Sequence, residues 1–197
     1  MTYQTILDYW FGDLKNNDFF PARKAKIWYR KDKKVDDYIT QNFTEIWNLA
    51  CHRKLSSWCN EIRGSLALII VLDQFSRHIC RGNSNSYMQD SYSLDLCLRT
   101  INFDITPLFT VEKAFLYMPL QHSENLQMQQ KSVCLYKELV DEAHEKIREQ
   151  MYAFYDYACA HRDIIKRFGR FPHRNAILQR PSTKEERQFL ERSTTKF

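Results

Sequence analysis

Apolar residues recur along this chain at helical spacing. Val35, Tyr38, Ile39, Phe43, Ile46, Trp47 and Ala50 follow the i, i+3, i+4 rule over four turns, which predicts an amphipathic helix from about Val35 to His52. Ser65 to Cys80 is apolar nearly all round at first. Its length, its Leu and Ala content and the helical spacing of its polar end, with Gly82 just beyond, predict a buried helix rather than a strand. A helix from about Thr2 to Phe11 ends at Gly12, and Asn16 to Pro21 reads as a loop. Ser84 to Ile101 reads as another helix, with Met88, Ser91, Leu94, Leu98 and Ile101 on one side. Thr110 caps a helix through Met118, which Pro119 kinks or ends because proline lacks the amide proton. Leu126 to Phe168 holds neither Gly nor Pro, and its charged stretch Asp141 to Glu149 predicts a turn between two antiparallel helices. Gly169 caps the second. A short helix through Ala176 to Gln179 and a last one to about Glu191 follow, the latter opened by a capping box at Ser182/Glu185 or Thr183/Glu186.

The predicted fold is therefore all-α, with eight or nine helices, no strand, and one domain over residues 1–197. Composition agrees: 44% of residues are hydrophobic, and only four are glycine, so tight hairpin turns are scarce. The longest apolar run, Leu66 to Leu72, is seven residues, far short of the ~20 that a membrane span needs. Met1 to Phe11 carries Asp8 and no basic leader, so it does not read as a signal peptide. Six cysteines, none within a Cys-x-x-Cys pattern, read as free thiols buried on apolar stripes, and with them the location reads as cytoplasmic.

The charge of +5 is modest. Arg23 to Lys34 packs seven Lys or Arg around Trp28 and Tyr29, a mixture able to hold nucleic acid. A solvated helix face with Trp28 turned to the core gives the same string, so nucleic acid is not the expected partner.

Three polar segments stand inside apolar sequence. In the first, Asp73, Arg77 and Arg81 are spaced by four and share one helix stripe, with Gln74 beside them. The second holds His122 and Glu124 just past the kink. The third runs from His161 to Asn175, with Asp163 four residues before Arg167, then Arg170, His173, Arg174 and Asn175 in a Phe- and Pro-bracketed loop. Asp73–Arg77 and Asp163–Arg167 are candidate ion pairs. His122 with Glu124, and His161 with Asp163, are two apart and point to different sides of a helix, so no metal or other cofactor is expected.

The strings LDYWFG, LALIIVLDQFSRHICRG, FLYMPLQHSE and HRDIIKRFGRFPHRNAIL resemble a bacterial family catalogued as domain of unknown function 924. The resemblance implies helix pairs in a tetratricopeptide-repeat-like superhelix and brings no activity. Its customary motif reads Leu-Asp-Gln-Phe-Pro-Arg-Asn, whereas here Ser76 and His78 replace Pro and Asn.

The expected function is a binding module that gathers the three segments into one pocket. Arg77, Arg81, Arg167, Arg170 and Arg174 point to an anionic or carboxylate-bearing ligand or peptide. The alternatives are a small-molecule enzyme working through His122, Glu124 or His161, and a structural network with the interface elsewhere, for example on the basic stretch.

Overall fold

The computed structural model describes residues 1–29 and 31–192. Among them the chain is helical throughout, with no strand. Its elements are α1 (Tyr3–Phe11), α2 (Ala22–Tyr29), α3 (Lys33–Cys51), α4 (Ile62–Ile69), α5 (Ser76–Ile79), α6 (Asp90–Thr100), α7 (Thr110–Leu116), α8 (Met118–His122), α9 (Leu126–Glu142), α10 (Glu145–Phe168) and α11 (Lys184–Arg192). A π-helical segment, Ile70–Phe75, joins α4 to α5 without a break, and α7 and α8 form one rod kinked at Tyr117, just before Pro119. Nine helical rods result among the described residues.

The pattern of apolar positions places the core. α3 buries Ile39, Phe43, Ile46 and Ala50, and the Asp32 side chain caps its start by accepting from the Lys34 amide at 2.9 Å. α4 and the π segment are buried from Leu66 through Phe75. Around them the aromatic rings pack edge to face: Trp10 on Phe115 at 5.6 Å, Trp28 on Phe115 at 4.6 Å, and Phe43 tilted on Phe75 at 4.9 Å. Trp28 thus faces the core and donates its indole N–H to the Trp10 carbonyl at 3.1 Å. The basic stretch around it is therefore a solvated face, Arg30 lying outside the described residues. α9 and α10 form an antiparallel pair turned at Ala143–His144. Gly169 closes α10 in the left-handed conformation at φ 68°. Thr183 opens α11 with a reciprocal capping box to Glu186, at 2.7 and 3.1 Å.

Three expectations are corrected. The helix expected from Ser84 starts as a 3-10 turn, Ser84–Tyr87, and only α6 is α-helical. The break shifts its phase, so Ser93, Leu96, Cys97 and Thr100 face the core while Met88 is exposed. The Asn83 side chain and the Ser86 hydroxyl hold that turn by local hydrogen bonds, which compete with helix. Ala176 to Gln179 is a turn rather than a helix, closed by the Arg180 amide on the Asn175 carbonyl at 2.8 Å, with Gln179 at φ 54°. All six cysteines are free, but only Cys97 is buried; Cys59 and Cys134 are exposed. Among the described residues no helix is long and apolar enough to cross a membrane.

Gly64 is a packing glycine that its sequence neighbours do not announce. A Cβ there would lie 2.1 Å from the Trp58 carbonyl oxygen, backbone that cannot swing aside. Gly64→Ala should therefore destabilise by about 1–3 kcal/mol, the usual range for overpacking, although alanine is the better helix former. Urea denaturation checks this; a stabilised variant would refute the contact.

Candidate functional site

The site begins at the π segment. A π turn is wider than an α turn and sets its carbonyls apart, and here side chains supply further donors to them. The Ser76 hydroxyl donates to the Leu72 carbonyl at 2.5 Å while accepting from the Trp47 indole at 2.8 Å. Arg77 donates to the Asp73 carbonyl. The Asp73 side chain is wholly buried, at 0% exposure, and a buried carboxylate demands donors. It has three: His122 Nδ1 at 2.8 Å, Gln74 Nε2 at 2.5 Å and Arg77 NH1 at 3.4 Å. Burial pushes its acidity down, but Arg77, His122 and Gln74 outweigh burial and hold the carboxyl below the usual range.

Arg77 continues to Asp90 at the start of α6, at 3.0 Å, and Arg174 takes the other oxygen of Asp90 at 2.9 Å. Arg174 also donates to the His122 carbonyl at 3.0 Å. Its guanidinium lies between the rings of Tyr87 and Phe171, 4.5 and 4.6 Å from their centroids. One buried donor, its Nε–H, has no partner among the described residues. Glu124 accepts from Arg180 through both oxygens, at 2.6 and 2.9 Å, and from the Phe171 amide at 2.8 Å. Gln129, buried on α9, donates to the Gln121 and Ser123 carbonyls at 2.7 Å each and so fixes the chain around His122.

These groups surround a cavity of about 440 Å³. One wall is the 3-10 turn and α6, with Ser84, Tyr87, Met88, Asp90, Ser91 and Leu94; the other is His122, Ser123 and Glu124, with Arg174 and Leu178 closing it. Met88, Ser91 and Leu94, which share one side of the expected helix, line this cavity together.

The expected cluster is thus partly formed. His122, Glu124 and Arg174 line the cavity, and Asp73, Gln74 and Arg77 stand directly behind them. His161, His173 and Asn175 form a deeper layer: the His161 ring lies 6.3 Å from that of His122, His173 stands 5.5 Å from Phe171, and Asn175 bonds Ser182 at 3.1 Å. Burial, with His122 next, depresses His161 to about 3. Burial, with Arg174 next, depresses His173 to about 4. Four residues lie elsewhere. Arg81 grips Asp36 at 2.6 Å, Arg170 grips Glu186 at 2.7 Å, and Arg167 pairs with Glu185 at 2.6 Å. Asp163, itself exposed, pairs with its half-buried neighbour Arg162 at 2.8 Å, so the expected Asp163–Arg167 pair does not form. A carboxylate on α11 competes for Arg167, and spacing along α10 cannot reveal it.

Asp90, Tyr87 and Arg180 escaped the sequence reading. Asp90 fell inside the helix read from Ser84 to Ile101 and was not singled out, and Arg180 followed a segment read as helix. Among the described residues no group of three or more His, Cys, Asp or Glu converges as a metal site would require.

A model of a bacterial protein family of unknown function, DUF924, matches residues 6–194. The chain belongs to DUF924. A solved structure of a protein of unknown function from Agrobacterium tumefaciens matches this DUF924 chain over 97% of each, at 30% identity and a TM-score of 0.81. No curated protein matches. DUF924 thus supplies the fold and no activity, so a function for this member has to come from the cavity itself.

Proposed function

We propose that this DUF924 chain is a one-domain, cytoplasmic small-molecule-binding protein, framed by helix pairs of tetratricopeptide-repeat-like kind, and that the cavity around His122 is its site. The observation that carries this is the Asp73–His122 pair. A fully buried carboxylate holds Nδ1 of a histidine at 2.8 Å, while that histidine lines a cavity of about 440 Å³, within the size range of ligand sites. The cavity offers acceptors, namely His122, Asp90 and Glu124, beside apolar Met88, Leu94 and Leu178. The terminal nitrogens of its arginines are already paired with protein carboxylates, and among the described residues only the buried Nε–H of Arg174 is left over. A small neutral or cationic molecule rich in hydrogen-bond donors fits this balance best.

A second reading, a carboxylate-bearing ligand or peptide end, is favoured by one feature. Arg77 and Arg174 already hold a carboxylate, that of Asp90, one guanidinium to each oxygen, and an incoming carboxylate would exchange with it. Neither reading involves nucleic acid.

Thermal-shift screening of the purified chain against polyols, amines and small carboxylates, with native mass spectrometry for co-purified ligand, tests both. At a hundredfold excess over Kd a ligand should raise Tm by about 5–10 °C. Asp90→Asn divides the readings: it weakens donor-rich ligands and strengthens carboxylates. If no compound of either class shifts Tm and nothing co-purifies, the site is a structural network.

A further inference from the structure

We infer that His122 is a general base, oriented by Asp73 and directed at a hydroxyl of a small uncharged or cationic molecule in the cavity; this rests on the reading of the cavity as a small-molecule site. The protonation pattern follows from the partners. Asp73 is ionised and can only accept, so the 2.8 Å bond to it requires the proton on Nδ1 of His122. The lone pair is then on Nε2, for which no described residue provides a hydrogen-bond partner. The side chain keeps 14% of its surface open where it lines the cavity.

A histidine present only to satisfy Asp73 would be sealed in the core, since Arg77 and Gln74 already supply donors. Here the ring spans from the buried carboxylate to open space. That is the base-and-orienter geometry: one nitrogen anchored by an acceptor, the other aimed where a reacting group can sit. The anchor itself stands in a π turn, a local widening found mainly at functional sites. Burial and the nearby Arg77 together outweigh Asp73 and keep the ring neutral at pH 7, the form a base requires.

The proton step balances within the cavity. The ligand's O–H bond breaks and leaves its electron pair on oxygen, while an N–H bond forms at Nε2. Asp73 stabilises the imidazolium without taking the proton itself. The proton then returns to that oxygen, which restores the hydroxyl and the neutral ring.

Long-range nitrogen–proton NMR of ¹⁵N-labelled protein reads the tautomer directly, with His122→Gln assigning the signal. The expected result is a neutral His122 protonated at Nδ1 at pH 7 to 8. Diethyl pyrocarbonate, mapped by mass spectrometry, reads the open nitrogen. His122 should react at a rate within about tenfold of exposed His52 and His144, and Asp73→Asn should slow it about tenfold as the wrong tautomer gains population. Should Asp73→Asn fail to fold, the wild-type tautomer and modification map still decide. An Nε2–H tautomer, or a His122 left intact while His52 and His144 are fully modified, overturns the inference. A reactive, correctly protonated His122 combined with a barren ligand screen counts against the small-molecule reading alone.

Discussion

Arg174→Ala should lower the free energy of unfolding by about 3–5 kcal/mol, the usual cost of breaking a buried ion pair from one side. Arg174 is only 6% exposed. It binds Asp90 and the His122 carbonyl and fills the space between Tyr87 and Phe171. Truncation therefore removes two charge-assisted hydrogen bonds and leaves a gap between two rings. In a chain of this length the loss corresponds to a fall in Tm of roughly 6–20 °C. Arg174→Lys keeps the charge but loses the planar fork and its stacking, so it should recover only part of the loss. Urea denaturation of both variants gives the comparison. An alanine variant within 1 kcal/mol of wild type would mean that the segment carrying Arg174 is held by its apolar anchors alone.

Stability should also fall steeply as pH drops from 6.5 towards 4. His161 is held near 3 and His173 near 4 in the folded chain, against about 6.5 when unfolded. Below pH 6.5 the unfolded chain binds protons that the folded chain refuses, so acid favours unfolding. Each such histidine contributes a slope of about 1.4 kcal/mol per pH unit, and the two together about 2.7. Over two units that is a large share of the 5–15 kcal/mol typical of a domain. His122 and His78 are shifted the same way and add to it. Asp73 acts further down the scale: its carboxyl is more acidic folded than unfolded, so its contribution is intact above about pH 4 and is lost below. Denaturant titrations at pH 7, 6, 5 and 4.5 test the slope. A flat profile would contradict the depressed histidines, and His161→Gln should remove about 1.4 kcal/mol per pH unit of the slope.

The helices were legible where periodicity and caps agreed. The α3 stripe, the Gly169 cap and the Thr183 capping box all appear where local chemistry puts them. Asp73 and Arg77 were legible as a pair for the same reason, being four apart beside the most apolar stretch of the chain. What failed depended on tertiary competition. The i, i+4 rule makes Asp163 and Arg167 neighbours, but Glu185 arrives from α11 and takes the guanidinium. Asp90 became central only because a 3-10 turn rephased α6 and brought it against two arginines from distant segments. The excess of arginine, read from sequence as a sign of an anionic ligand, is consumed by carboxylates of the chain's own, which composition does not display.

The π segment gives one helical rod two angular registers. Each residue of an α-helix turns the chain by about 100°. Wound from the same residues as an ordinary α-helix, Ile70–Phe75 would turn further and rotate everything beyond it by most of that angle. Leu66 to Ile69 would still face the core, yet Arg77 would swing away from Asp90, and His78 and Arg81 away from Asp36. The widened turn therefore lets one rod keep both its core and its polar cluster, where an unbroken α-helix of the same sequence would keep the core alone.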